Sequence, residues 1–374
     1  MKHLKKFSYS YQYHRWRDGK DYIVPNVCLI NGTLPIYNMD IPSEYEGEVD
    51  LPLYMEAIED GFTVSFTEAS GPIQYSLDNK TWNDLAVDTP SPSLNAGERI
   101  YLRAYDLQCT FEEENIIGWF ETDKKYNLGG NIMSMLHGGD YKGKVELSGN
   151  RGLSGMFFET PVVSARNLAL PATTLIRDAY CSLFGSCKYL EDAPMLPATT
   201  LAETCYRWMF AECTSLTIAP TLPATVLAEG CYNSMFAYCE LLVLPPSLPA
   251  TSLAKNCYYG MFTDCESLLV APELPATTLA HGCYELMFEK CYDLMKAPKL
   301  PALTLAPRCY NSMFKDCEEL EYVEMMATDI SATDCMTDWM DNVYKTGTFV
   351  KNENATWDNE GIVPDGWKVE TARQ

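Results

Sequence analysis

Residues 196–221 read LPATTLAETCYRWMFAECTSLTIAPT, and the same phrase begins again at Leu170, Leu222, Leu248, Leu274 and Leu300, each 26 residues from the last. Two cysteine rows follow from it. One runs Cys205, Cys231, Cys257, Cys283, Cys309, Cys335, and the other Cys187, Cys213, Cys239, Cys265, Cys291, Cys317. Cys335 belongs to a seventh, degraded copy with Trp339 and Met340 where its predecessors have Met-Phe. Met156, Phe157 and Phe158 look like an eroded copy before the first clear one. A fixed period of this length marks a repeat architecture, in which one unit buries its apolar face only against the next.

Within one unit, Ala202, Cys205, Tyr206, Met209, Phe210 and Cys213 fall at i, i+3, i+4, i+7, i+8 and i+11, which predicts a short α-helix with one apolar face. Thr200 with Glu203 has capping-box spacing, and Pro307 stands in the first turn of the sixth copy, where a missing N–H costs nothing. The following Thr214–Ala219 stretch is short, β-prone and closed by Pro220, which predicts one strand per unit. The expected fold is therefore an α/β solenoid, a leucine-rich-repeat-like array of 26-residue coils, with its strands in a parallel ladder about 4.8 Å apart.

The flanks have other textures. Residues 1–50 form an N-terminal arm in which Phe7, Tyr9, Tyr11 and Tyr13 alternate as on a half-buried strand. Residues 51–128 hold alternating runs such as 62–66, 73–77 and 99–103 between turn residues, which suggests a small β-sandwich. Residues 129–169 are expected to cap the array and carry the eroded copy, 170–325 are the six clear repeats, and 326–345 the degraded seventh. A β-rich cap with Phe349, Trp357 and Trp367 would close the end at 346–374.

Composition narrows the function. The net charge of −23 disfavours a phosphate-neutralising surface, so nucleic acid is not an expected partner. No apolar run is long enough to span a bilayer, and the charged 14–18 stretch denies the N-terminus a signal-peptide core. Yet residues 1–20 hold six Lys or Arg against one Asp, a basic arm on an acidic protein. Arg15 and Arg17 join its aromatic residues as candidates for docking onto a sheet edge or an acidic surface of another subunit, with pairing to the protein's own β-sandwich as the alternative.

The phrase C-Y-x-x-M-F-x-x-C-x-x-L-x-x-A-P, followed by L-P-A-T-T-L-A, resembles the BspA-like leucine-rich-repeat proteins of Bacteroides-type gut bacteria and their phages. The likeness extends over residues 150–345. It implies a surface or adhesion protein that binds a protein or glycan, on a cell surface or as a virion or fibre component, with no catalytic residues and no cofactor.

Direct reading of the residues agrees that chemistry is scarce. With four histidines in the chain and only His281 in the array, neither Ser/His/Asp nor Cys/His arrangements are supported. Cysteines eight residues apart on a helix would lie about 12 Å apart, beyond disulfide reach. They read as small buried residues, with rung-to-rung disulfides as the alternative. Glu240, Glu266 and Glu318 share one coil place and Asp264 and Asp316 another. Lys290 and Tyr292 interrupt both rows, so a solvated acidic edge is expected rather than a metal or acid–base site, and a solenoid enzyme acting on polysaccharide or through a metal is the weaker alternative.

Binding candidates come from comparing the copies. The tyrosine row from Tyr180 to Tyr310 never changes and reads as structural, whereas Trp208 replaces serine or glycine of other copies and is either a filler or a contact residue. With Leu216, Leu242, Leu268 and Leu294 facing inward, strand alternation sends Leu241, Val243, Ser267, Leu269, Asp293 and Met295 to solvent. Tyr189, Glu191, Glu319 and Glu321 form the rim of this patch.

Overall fold

The computed structural model describes residues 13–17, 20–24, 48–69, 71–105, 107, 118–147 and 152–372. The chain divides into two compact units, 1–45 and 46–374. In the first, β1 (Tyr13–Arg17) and β2 (Lys20–Val24) pair antiparallel, Tyr13 opposite Val24. The second begins within the expected arm of 1–50.

Eight strands open the second unit: β3 (Tyr54–Ala57), β4 (Ser65–Thr67), β5 (Ile73–Ser76), β6 (Asn83–Leu85), β7 (Arg99–Ala104), β8 (Trp119–Glu121), β9 (Tyr126–Asn131) and β10 (Val162–Ala169). Six form one mixed sheet in the order β10-β9-β3-β7-β5-β6, and β4 pairs with β8. In β7 the alternation expected from Ile100 and Leu102 holds, odd and even places differing in burial. The sheet crosses the boundary expected at residue 128, because β9 pairs antiparallel with β3 and parallel with β10. β10 then hands over to the first clear repeat, Glu191 N–H donating to Val163 O at 2.8 Å and Ala165 N–H to Asp192 O at 2.9 Å.

The expected α-helix is absent from the repeats. Among the described residues the single α-helix, α1, is Ser134–His137. Residues 204–213 instead form successive tight turns. Cys205, Arg207, Met209, Ala211 and Cys213 donate their N–H groups three residues back within their own coil. Thr204, Tyr206, Trp208, Phe210 and Glu212 donate theirs to carbonyls of the next coil, at Glu229, Cys231, Asn233, Met235 and Ala237. This alternation needs a left-handed residue every fourth place, and each coil has three: Thr204, Trp208 and Glu212, for example, or Asn256, Gly260 and Asp264.

Stacked backbones bring equivalent side chains over one another. Phe210, Phe236, Phe262 and Phe288 lie in one column with ring centroids 5.6–5.8 Å apart, and Tyr206, Tyr232, Tyr258 and Tyr284 in a second at 5.8 Å. The phenylalanine column continues upstream through Phe184 and Phe157 to Phe120 on β8. The eroded copy is thus in register with the rest. The cysteine rows are buried beside these columns and no disulfide joins the thirteen described cysteines. The second row has a use beyond size: Cys213, Cys239, Cys265, Cys291 and Cys317 each donate the thiol proton to the phenylalanine carbonyl of the preceding coil at 3.0–3.2 Å.

At the far end, β11 (Tyr322–Met325), β12 (Thr348–Lys351) and β13 (Lys368–Thr371) pair parallel in that order. Trp339 terminates both ring columns, 6.3 Å from Tyr310 and 6.2 Å from Phe314, and its indole N–H donates to Ile362 O at 2.7 Å. Trp357 and Trp367 pin the cap in the same way, to Ala327 O and Tyr344 O. Trp339→Ala is expected to cost about 3–5 kcal/mol, read as a lower denaturant midpoint. The earliest hydrogen exchange should then appear in residues 310–350, since a stack loosens from an uncapped end.

Candidate functional site

Two surfaces depart from the regular framework. The first lies on the strand side of the coils. Its expected anchors are only partly exposed: Met295 is 52% accessible, whereas Val243 and Ser267 are buried at 7% and 6%, and Leu241, Leu269 and Asp293 are half-buried. The expectation that Val243 and Ser267 face solvent is therefore corrected. Its physical reason is that no regular strand forms there. Leu242 closes a turn onto Cys239 O, and the consecutive amides of Val243 and Leu244 both donate to Thr217 O, at 3.0 and 3.2 Å, so the pleat that alternates side chains is lost. Ser267 N–H likewise reaches back to Glu240 O at 3.1 Å.

The apolar row instead occupies the next coil place. Ile218 is 46% and Val270 37% exposed, Leu244 between them is half-buried, and Ile218 and Leu244 form a parallel bridge. Leu269 and Met295 flank them. Charged residues hold the same place at either end: Asp192, which accepts from Ser164 at 3.0 Å and pairs with Arg166, and Lys296, whose ammonium lies 4.8 Å from the Tyr322 ring centroid. Tyr189, Glu191, Glu319 and Glu321 are exposed, as a rim requires. Ile218, Leu244 and Val270 could have been found by reading apolar residues at one shared place instead of assuming strand alternation.

The second surface is a groove of about 590 Å³ where β8, the eroded copy and the first two coils meet, walled by Trp119, Phe158 and Trp208. Phe158 and Trp208 are exposed, 43% and 45%. The following copies put Gly185, Ala211, Ala237 and Thr263 and then Glu289 and Lys315 at the place of Phe158, and the other copies put Ser182, Ser234, Gly260, Leu286 and Ser312 at that of Trp208. Gly185 is itself an accommodation: a Cβ there would come within 2.9 Å of the Phe158 ring. The floor carries Ser154, Cys181 and Ser182, the Ser154 hydroxyl donating to Cys181 O at 3.0 Å. Glu121 and Glu159 stand at the edges, the Trp119 indole N–H donating to Glu121 Oε1 at 3.3 Å, and the Arg207 guanidinium lies 4.7 Å from the Trp208 ring centroid. Of these residues only Trp208 was singled out by sequence, because Trp119 and Phe158 lie outside the strict repeats.

Tyr13, Arg15 and Arg17 lie on β1, while Phe7, Tyr9 and Tyr11 fall outside the described residues. The acidic places are tied into the stack: Asp264 lies 3.5 Å from Lys290, Asp316 accepts from Asn342 at 2.9 Å, and Glu212 from Ser186 at 3.0 Å. Partial burial raises the Asp264 carboxyl above its ordinary value, against the opposing pull of Lys290. Glu240 and Glu318 are exposed, as is His281, and Glu266 is half-buried. Among the described residues no group of three His, Cys, Asp or Glu is arranged to hold a metal, and no helix is long and apolar enough to cross a membrane. No family model matches the chain, and neither curated proteins nor solved structures yield a match.

Proposed function

We propose that the stacked coils form a leucine-rich-repeat-like solenoid and that the protein is a non-catalytic binding or adhesion protein, working on a bacterial surface or as a phage virion or fibre component. The observation that carries this reading is the Ile218, Leu244 and Val270 row, with Leu269 and Met295 beside it and charges at either end. Stability does not call for such exposed apolar residues, and an apolar centre inside a polar rim is how a protein partner's surface is met. The resemblance of the repeat phrase to BspA-like proteins supports the same class. In this reading the basic arm, with Arg15 and Arg17, docks onto other virion or surface subunits.

The test separates surface from core. Replacing Ile218, Val270 and Met295 together by Asp is expected to reduce retention of the labelled protein on Bacteroides-type cells at least about tenfold, with melting temperature nearly unchanged. Val243→Asp is expected to destabilise by about 2–4 kcal/mol, because it buries a carboxylate without a partner. Undiminished retention by the triple variant would overturn the reading.

A further inference from the structure

We propose that the groove between Trp119, Phe158 and Trp208 is a binding site for a neutral oligosaccharide, separate from the strand-side row. Three observations converge on it. Its volume, about 590 Å³, suits a small ligand, and beside the half-buried Trp119 two exposed rings wall it, Phe158 where the next coils have Gly185 and Ala211, and Trp208 where most copies have serine or glycine. Trp208 holds a left-handed backbone, φ 55°, at a place filled by serine or glycine in most copies. A bulky residue in that conformation is strained relative to serine or glycine, as Leu286 also is, and at Trp208 it stands in solvent beside the exposed Phe158 ring. Gly185, in turn, leaves the space the Phe158 ring needs.

The polar groups select the ligand. A polyphosphate or nucleic acid would meet the carboxylates of Glu121 and Glu159 at the edges. A cationic side chain would seek the face of an aromatic ring, but the Arg207 guanidinium already lies 4.7 Å from the centroid of Trp208 and repels a second cation there. An apolar peptide would leave the Ser182 and Thr122 hydroxyls and both carboxylates desolvated. A sugar ring has what remains: an apolar C–H face to lie on an indole or phenyl ring, and hydroxyls at its edge to donate to carboxylates and accept from Arg207.

Fluorescence titration of the full chain with neutral hexasaccharides of glucose, mannose, galactose and xylose tests this directly, since two of the three walls are tryptophans. At least one sugar is expected to give saturable quenching. Trp208→Ser, which installs the residue of Ser182 and Ser234, and Phe158→Ala should each weaken it by about tenfold while melting temperature holds. The Ile218, Val270 and Met295 triple variant should bind the sugar as the native chain does, so failure of the strand-side reading and failure of this one are distinguishable. Absence of binding by every sugar of the panel, equal binding by Trp208→Ser, or tighter binding of a penta-arginine peptide or a decathymidylate than of any sugar would overturn the assignment.

Discussion

Between about pH 9 and pH 12 the protein is expected to lose its fold in a steep transition, although thiols and phenols play no part in its proposed binding. All twelve ladder cysteines are buried, and burial pushes their thiols up, Cys187 and Cys283 to about 12. The stacked tyrosines are raised for the same reason. A thiol held protonated in the fold but free to ionise in the unfolded chain stabilises fully below its unfolded value. That contribution is withdrawn as pH climbs from there towards the folded value. Cys187 and Cys283 alone would withdraw about 5 kcal/mol by pH 11, which is comparable with the entire stability of many domains. Far-UV circular dichroism followed alongside thiolate absorbance should show both changing together. Native ellipticity persisting at pH 12, with the thiols already ionised, would mean that the rows are not desolvated as described.

Excising residues 222–247, one full coil, is expected to leave a folded protein whose melting temperature falls by only a few degrees. Thr221 would then meet Leu248, and every ring would still find its counterpart, Tyr206 on Tyr258 and Phe210 on Phe262. Excising only 222–234 should abolish cooperative unfolding altogether. It removes Cys231 and Tyr232 while leaving Met235 and Phe236 displaced by half a coil, so the ring columns, the thiol-to-carbonyl bonds and the amides that cross to the next coil fail together. Calorimetry of the two shortened chains decides the matter. Equal damage from both would contradict a stack held in register by equivalent residues.

The 26-residue period and the stacked cysteine, tyrosine and phenylalanine places of the repeats were legible in the sequence, because a residue that must stack on its own equivalent has to recur at its place. The local conformation was not. Cys205, Met209 and Cys213, with Tyr206 and Phe210 beside them, repeat every four residues, and over three turns a period of four is indistinguishable from an α-helix of 3.6. The distinguishing signal lay in the other residues. Asp178, Ser182 and Ser186, or Asn256, Gly260 and Asp264, put turn formers at every fourth place, a spacing with no purpose in a helix and required where the backbone turns left-handed. The same neglect of turn chemistry hid the strand side, where alternation pointed to Val243 and the fold presents Ile218 and Val270 instead. The groove was illegible for another reason: Trp119, Phe158 and Trp208 come from three separate parts of the chain, and only the stacking of the eroded copy on the first coils brings them together.

Because alternate amides of each turn segment cross to the next coil, the coils are fastened by bonds that point along the stack. A pull along that axis loads the whole row between two neighbours at once, and they must break as a group. A force that levers one edge outward opens them singly, as a seam is ripped from its end. An anchor of this construction would withstand a steady axial drag and yet let go when twisted aside.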